Sequence, residues 1–577
     1  MTSSTSPLGL NSPTDSAQRS TNELSSMATY SKHSIKPNVY LASSIISFTG
    51  FLFGYDAGAI GPITQIPHFY SLSSQMRGVI VAALLFTVIP ATFVAGPLAD
   101  HLGRCRVISL GGLIYAAGMG ICSGADGVAM FLVGRLLAGA GQGLFFSTAG
   151  VWQIESAPKA IRGRIGSMSQ LFIPFGLVVG TPPSLVPVLK TGYFVCYGTI
   201  HIDSSWSWRT VTVIQTAIAL LFTLAMLTAL VPESPRWLLL HTQRHDEAFR
   251  IVHAFALDPM SAQVEYLELN AHITREKHYN ATLPKTGKRG WLRYTGLAAV
   301  RECFKQESRG RVILGLIYNL MLALTGIDAV VWYAPLIYIS AGLSTNKASF
   351  LASGVMAIIM TVITVPAQFY FIDHIKRRTT VAIGSAVMAI ALFIIGILYT
   401  REDANKEGVK WTIVYVAAVE GFYVGPAMIY SAEIQTNRTR ATSSAMGRAL
   451  LSLANMILAL FTPQWLESSR AGFFMTLAGF NAFSFALALV FTPETLGVSI
   501  EGFDEEWNRK SDRLQKALKM SVTAQTRDDD RVQKGVDEGM ERHEPKPVEE
   551  LATGIGAMEE AQDSCRTHAA RPEQSIV

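Results

Sequence analysis

Five ionisable side chains stand alone inside long apolar stretches of the chain. They are Asp56, Arg135, Asp328, Glu420 and Arg448. A charge at the centre of a bilayer costs about 2.5–3.5 kcal/mol on insertion scales, so each should face a water-filled cavity or a partner. A carboxylate that alternates between water and an arginine changes its proton affinity with conformation. These residues could therefore couple proton movement to a conformational change.

The apolar stretches around these charges predict membrane-spanning helices. A helix needs about 20 mainly apolar residues to cross the hydrocarbon core. Seven runs of at least 19 residues lack Asp, Glu, Lys and Arg, and five further runs contain one charge each. We therefore predict an all-α membrane protein with twelve spans, near 38–63, 78–98, 107–125, 127–150, 165–189, 210–232, 312–340, 348–372, 379–400, 411–432, 441–466 and 471–493.

The composition excludes a soluble chain. Apolar residues make up 49% of the sequence and charged residues 16%, with a mean hydropathy of +0.30. Soluble proteins carry about 25% charged residues. The five cysteines are scattered, and the sequence has no Walker loop, HExxH motif or nucleophile elbow. We predict no enzyme activity, no cofactor and no metal site. The excess of Lys and Arg before Pro493 is typical of cytoplasmic loops and does not indicate a nucleic-acid surface.

Loop charges and composition predict the topology and the domains. The turns after the second, fourth, eighth and tenth spans are rich in Lys and Arg, so both termini should be cytoplasmic; the loop at 401–410 is an exception. No targeting signal is present, which favours the cell membrane. The predicted regions are a disordered tail at 1–36, a six-helix bundle at 37–232, a linker with short helices at 233–311, a second bundle at 312–493 and a mostly disordered tail at 494–577.

The two halves repeat each other. Charged turns after equivalent spans share residue types and spacing, with offsets of 273, 278 and 261 residues. The matching groups are Asp100–Arg104 with Asp373–Arg377, Glu155 and Arg162 with Glu433 and Arg440, and Pro232-Glu233-Ser234 with Pro493-Glu494-Thr495. A duplicated six-helix unit is typical of transporters whose halves rock about a site at the middle of the membrane.

Six motifs occur in order, each at the end of an appropriate span. They are Gly54-Tyr55-Asp56-Ala57-Gly58, Gly96 to Arg104, Gly134 to Gly141, Glu155 to Gly163, Pro232 to Trp237, and Pro493 to Gly497. On these motifs the chain resembles the sugar porters of the major facilitator superfamily over roughly residues 38–505, and it is similar to fungal members. The resemblance implies two pseudo-symmetric six-helix bundles and transport by alternating access.

The resemblance also implies roles for the charged residues. The position of Asp56 is the protonated group of proton-coupled members, and that of Arg135 is its partner. A charge network at the cytoplasmic mouth would hold one conformation; its members here are Asp100, Arg104, Glu155, Arg162, Glu233, Arg236, Asp373, Arg377, Glu433 and Arg440. The alternative is that these charges are only topology signals and solvated loop residues.

The implied substrate ligands differ between the halves. Phe53 and Gln170 match family positions in the N-terminal half. The C-terminal half lacks the usual amides around Gly326. We predict that the site there uses Asp328, Trp332, Tyr333, Glu420, Arg448 and Asn455. Losing amide ligands weakens hexose binding, because each unpaired buried polar group costs about 1–3 kcal/mol. This favours a cyclitol, a sugar acid, a modified sugar or a more apolar specialised metabolite. Alternatively, Arg448 only neutralises Asp328 or Glu420.

Three functions remain open from the sequence. The first is a secondary transporter, functional as a monomer in the bilayer, that moves a small polyhydroxylated solute together with a proton. The second is an exporter of a specialised metabolite or toxin. The third is a nutrient sensor that uses the transporter scaffold without transport.

Overall fold

The computed structural model describes residues 38–66, 69, 71–158, 161–178, 205–228, 230–242, 244–256, 258–282, 300–301, 303–305, 308–340, 346–368, 375–400, 412, 414–416, 419–435 and 440–494. These residues belong to the first of two compact units, Met1–Val498, and the second unit is Ser499–Val577. Within the described ranges every regular element is helical, which confirms the predicted all-α class.

The N-terminal half forms one bundle of apolar helices. Its elements are α1 (Val39–Ile63), α2 (Ser74–Leu102), α3 (Arg104–Ser123), α4 (Val128–Ser156), α5 (Arg162–Gly166), α6 (Met168–Val178) and α7 (Trp206–Met226). Side-chain oxygens satisfy free backbone amides where α1 and α2 begin: Asn38 accepts from Tyr40, and Ser73 accepts from Met76. Only Gly103 separates α2 from α3, and its φ of 101° favours glycine.

The linker and the C-terminal half are also helical. The linker contains α8 (Pro235–Trp237), a π-helical turn (Leu238–Thr242), α9 (His245–Phe255) and α10 (Pro259–Thr282). The C-terminal half contains α11 (Arg309–Leu324), α12 (Ile327–Trp332), α13 (Ala334–Ser340), α14 (Asn346–Pro366), α15 (Arg377–Thr400), a π-helical turn (Val419–Tyr423), α16 (Val424–Glu433), α17 (Arg440–Ser468) and α18 (Arg470–Phe491).

The seventh predicted span is broken in the structure. Gly326 has a φ of 81°, a conformation that residues with a side chain rarely adopt, so α11 ends there and α12 starts again. Leu477 also fills the space that a Cβ on Gly326 would need, since a leucine methyl would lie 2.5 Å from it. The break places Asp328 in the first turn of a new short helix.

The helices are long enough to cross a bilayer. By length and composition, eight described helices qualify as spans, and Met168–Val178 and Gly354–Pro366 are shorter apolar helices. α2 begins before its predicted span and continues past it, so polar residues at both ends belong to the same helix.

Two sets of helix contacts build the fold. Within the N-terminal bundle α3 packs on α4 and α7, and α1 packs on α6; in the C-terminal bundle α15 packs on α18, and α11 on α17. Between the bundles α2 packs on α17, α6 on α14 and α1 on α12. Glycine permits the closest of these approaches. A Cβ on Gly61 of α1 would lie 2.2 Å from the carbonyl oxygen of Trp332.

Candidate functional site

Asp56 and Arg135 form a buried ion pair inside the N-terminal bundle. Asp56 lies in α1 and Arg135 in α4, and their side chains are packed away from the surface, with residue exposures of 6% and 2%. Arg135 Nη1 donates to Asp56 Oδ1 at 2.5 Å. The structure therefore brings together the acid and the base that the sequence analysis paired. Breaking such a pair by removing one partner costs about 3–5 kcal/mol in proteins.

Gln215 extends this pair toward α7. Its amide nitrogen donates to Asp56 Oδ1 at 3.2 Å and also to the hydroxyl oxygen of Tyr115 on α3. A cation and an amide thus bind the same oxygen of this carboxylate. Gln215 is not among the residues predicted from the sequence, although a lone amide in an apolar helix is a recognised signal for a hydrogen bond between helices.

An aromatic pair connects the N-terminal bundle to Arg448. Phe53 lies one turn before Asp56 on α1, and its ring stacks on Phe146 of α4 with centroids 5.5 Å apart. The guanidinium carbon of Arg448, on α17, lies 4.6 Å from the centroid of Phe146. This is cation–π geometry, and it crosses from one bundle to the other. Phe146 was not among the predicted site residues.

Asp328 is held by an amide instead of a cation. Asn455 Nδ2 on α17 donates to Asp328 Oδ2 on α12. Among the side chains that the structure describes, neither Asp328 nor Arg448 has an ion-pair partner, so the alternative in which these two neutralise each other is not seen. Glu420 lies in the π-helical turn before α16, and its side chain is outside the described residues.

Gln170 lies at a second contact between the bundles. Its amide nitrogen, on α6, points to the thioether sulfur of Met428 on α16 at 2.7 Å. Sulfur is a weak acceptor, so this contact leaves most of the hydrogen-bonding capacity of the amide unused. Gln170 therefore faces the other bundle, as a side chain that binds a polar solute should.

Trp332 and Tyr333 close a contact between the bundles. Both are buried at the end of α12. The Tyr333 hydroxyl donates to the carbonyl oxygen of Ala459 on α17 at 2.7 Å. The backbone of Trp332 lies against Gly61 of α1. In this conformation Trp332 packs against α1 and Tyr333 is hydrogen-bonded to the backbone of α17.

In the N-terminal bundle and at the start of the linker, the predicted charge network is built around Arg104. Arg104 binds Glu155 at 3.1 Å and Asp100 at 3.0 Å. The carboxylate of Glu233 accepts from the backbone amide of Arg104 at 2.8 Å and from that of Cys105. Burial raises the pKa of Glu233, although three backbone amides favour its ionised form.

The remaining members of the network are only partly described. Arg377 repeats the backbone arrangement of Arg104, because its amide donates to Glu494 at 2.9 Å. Burial lowers the pKa of Arg162, whose guanidinium lies 3.5 Å from the carbonyl oxygen of Ala157. Arg236 lies half-buried in α8. Asp373, and the side chains of Glu433 and Arg440, are outside the described residues.

An ion pair at the opposite helix ends joins the bundles. Arg77, at the start of α2, binds Glu467 near the end of α17 at 3.1 Å, and the Ser74 hydroxyl also donates to Glu467. Arg77 is 8% exposed. This pair is not predicted from the sequence, because Arg77 and Glu467 flank the predicted second and eleventh spans and are 390 residues apart.

The comparison with known families assigns the chain. The family model described as "Sugar (and other) transporter" matches residues 42–507. The chain belongs to this family. It is a sugar porter of the major facilitator superfamily, so the resemblance noted in the sequence is confirmed.

Relatives and solved structures agree with this assignment. The glucose transporter GlcP of Staphylococcus epidermidis is 28% identical to the sugar porter over 83% of this chain and 99% of that protein. A quinate permease of Emericella nidulans is 27% identical, covering 82% of this chain and 89% of that protein. The structure of the proton:xylose symporter XylE with 6-bromo-6-deoxy-D-glucose has a TM-score of 0.64 at 22% identity, over 81% of this chain and 99% of that chain. The twelve-helix major facilitator fold is thereby confirmed.

Proposed function

We propose that this sugar porter is a proton-coupled carrier of a small polyhydroxylated solute that works by alternating access. The observation that supports coupling most directly is the buried pair of Asp56 and Arg135. Protonation of Asp56 would remove the charge that Arg135 neutralises, so proton binding and helix packing depend on each other. The relatives include a protein named as an arabinose-proton symporter, 26% identical over 81% of this chain.

The solute site would lie between the bundles. Gln170 contributes an amide from α6, while Asp328 and Asn455 contribute a carboxyl and an amide from α12 and α17. Phe53 and Phe146 supply an apolar face beside Arg448. Such a mixture binds hydroxyl groups through the polar atoms and a ring face through the aromatic side chains.

Alternating access requires that contacts at one end break when the other end closes. The contacts of Gly61 with Trp332 and of Arg77 with Glu467 join the bundles at one end. The carboxylate and arginine groups around Arg104 lie at the other end. We propose that these two groups of contacts bias the two conformations, with the Arg104 end at the cytoplasm.

We also propose that the protein is a monomeric carrier of the cell membrane with both termini in the cytoplasm. The tails at 1–36 and 494–577 and the linker at 233–311 would then share one aqueous compartment. The Lys- and Arg-rich turns support this orientation. Protease accessibility of tags placed at either terminus, in sealed vesicles, tests it.

Uptake by reconstituted vesicles tests the transport proposal. The full chain is placed in liposomes, and uptake of labelled glucose, arabinose, inositol and quinate is measured with and without an inward proton gradient. We expect at least one of them to accumulate above its external concentration, and a protonophore should abolish that accumulation. One proton moving inward gains about 2.3 kcal/mol per 100 mV of membrane potential. If the solute only equilibrates across the membrane, and neither the proton gradient nor the protonophore changes its uptake, the protein is a facilitator.

A further inference from the structure

Arg448 is a cation at the boundary between the bundles. Its guanidinium stacks on Phe146 of the opposite bundle. No carboxylate forms an ion pair with it in the part of the chain that the structure describes. A guanidinium removed from bulk water needs an anion or several acceptors to offset the lost hydration. The ring face of Phe146 covers one side of the guanidinium but accepts no N–H hydrogen bond along its edge.

Asn455, on the same helix as Arg448, has a polar atom without a hydrogen-bond partner. Its residue exposure is 4%, and its nitrogen donates to Asp328. Its carbonyl oxygen Oδ1 is buried and has no hydrogen-bond partner in the structure. A buried acceptor of this kind costs about 1–3 kcal/mol unless a donor reaches it. A hydroxyl group of a bound solute is such a donor.

The two unmet groups share one face of α17. Seven residues separate Arg448 from Asn455, which is about two helical turns, so both side chains project in similar directions. Their partners lie on the two sides of the bundle boundary, since Phe146 belongs to α4 of the N-terminal bundle and Asp328 to α12 of the C-terminal bundle. The helix thus offers an anion-binding group at one level and a hydroxyl-binding pair two turns away.

We propose that the solute is a hydroxylated monocarboxylate whose carboxylate binds Arg448 and whose hydroxyl groups bind Asp328 and Asn455. This inference rests on the proposed carrier function and names its substrate class. A neutral sugar fills the hydroxyl sites but leaves the guanidinium without an anion. A dianion brings one charge more than the single arginine balances. A carboxylate matches the guanidinium in charge and in planar, two-point geometry.

A monocarboxylate moving with one proton transfers no net charge across the membrane. Its accumulation should depend on the pH gradient and should not depend on the membrane potential. A neutral solute moving with one proton transfers one positive charge, and its accumulation responds to both.

Quinate and inositol form a matched pair of probes, since both are hydroxylated six-membered carbocycles and only quinate carries a carboxylate. Uptake of each is measured in vesicles with a pH gradient alone and with a potential alone, set by potassium and valinomycin. We expect quinate to accumulate with the pH gradient alone and to show no response to the potential. We expect inositol uptake to be at least ~10-fold weaker, because it cannot use the arginine.

Substitutions of Arg448 test whether this residue binds the carboxylate of the solute. Arg448→Gln should raise the quinate KM at least ~10-fold, and Arg448→Lys should restore part of the affinity because the positive charge is kept. The matched control is Arg244→Gln, since Arg244 is an exposed linker residue whose ion pair with Glu247 lies outside the site. Gel filtration and thermal unfolding in detergent check that each variant is folded, and protection of the purified chain against unfolding by quinate gives a binding readout independent of transport.

The outcomes separate this inference from the carrier proposal. Coupled uptake of inositol or glucose with no quinate uptake, or a quinate KM unchanged in Arg448→Gln, overturns the monocarboxylate assignment and leaves the carrier function in place. Quinate uptake driven by the potential overturns the electroneutral assignment. Absence of uptake and binding for every probe rejects both proposals.

Discussion

The two halves of the sugar porter hold their buried charges in opposite ways. In the N-terminal half Asp56 and Arg135 are paired directly. In the C-terminal half Asp328 is bound by the amide of Asn455, and Arg448 stacks on an aromatic ring. Paired charges neutralise each other until a proton replaces one partner, whereas separated charges remain open to a ligand. We infer that the first half handles the proton and the second half distinguishes the solute.

The backbone explains part of this difference. α1 is continuous through Asp56, and its carboxylate reaches across to α4. The equivalent first span of the second half breaks at Gly326, two residues before Asp328. The new helix α12 turns Asp328 toward α17, where it meets an amide. The two acids therefore differ in both respects: Asp328 follows a helix break and meets an amide, whereas Asp56 lies in a continuous helix and meets a cation.

The largest expected effect compares the two arginines. Arg135→Leu leaves the carboxylate of Asp56 buried without its cation, so we expect the variant to lose about 3–5 kcal/mol of unfolding free energy. Arg448→Leu removes a half-buried cation that has no carboxylate partner among the described side chains, so we expect stability to be unchanged or increased. Reversible unfolding of both variants in the same detergent measures the difference.

The double variant Arg135→Leu with Asp56→Leu controls this comparison. It removes both charges together and should recover most of the stability that Arg135→Leu loses. Equal losses in the two single arginine variants would contradict the view that one charge is paired and the other is not.

A second comparison separates the two acids by their role in transport. Asp56→Asn removes the proposed proton site, so accumulation driven by a pH gradient should disappear while exchange of labelled for unlabelled solute continues. Asp328→Asn keeps the proton site, so accumulation should persist with a KM raised by about 3- to 30-fold, the range for losing one hydrogen bond to a solute hydroxyl.

Uptake and counterflow measured on the same vesicles distinguish these results. Loss of gradient-driven accumulation in Asp328→Asn, with Asp56→Asn still coupled, would reverse the assigned roles of the two halves. Glu247→Gln is a suitable further variant for comparison, because Glu247 is an exposed linker residue whose ion pair with Arg244 lies outside the site. We expect it to keep both coupling and affinity.

The sequence singles out the charged residues of this candidate site. Asp56 and Arg135 are conspicuous because a single charge in an apolar run is costly, and the structure pairs them. The uncharged partners of these charged residues are not predicted from the sequence. Phe146 is one of many aromatic residues in apolar helices, and only the packing of α4 against α17 shows that it faces Arg448. Gln215 carries a weak signal, and its partner on α1 is 159 residues away.

The helix break at Gly326 and the ion pair of Arg77 with Glu467 are also not predictable from the sequence. The hydropathy of residues 312–340 is continuous, so it predicts one span where the structure has three helices. The conformation of Gly326 depends on its local packing, where Leu477 of α18 occupies the space beside it. Residues just outside an apolar run resemble loop charges, and only the packing of α2 on α17 brings such residues together.

The smallest expected effect concerns the pair between the bundles. Like Asp56 and Arg135, Arg77 and Glu467 are in direct contact, but they join helices of different bundles at one end of the fold. Glu467 is half-exposed, so the pair should contribute at most about 1 kcal/mol, or roughly a fivefold change in the ratio of the two conformations. Glu467→Gln should shift that ratio toward the state open at this end. Labelling of the variant Thr64→Cys, whose position lies just after α1 at this end and is 1% exposed, measures the shift; Glu247→Gln in the linker is the control. Unchanged labelling would show that glycine packing alone, without the ion pair, holds this end closed.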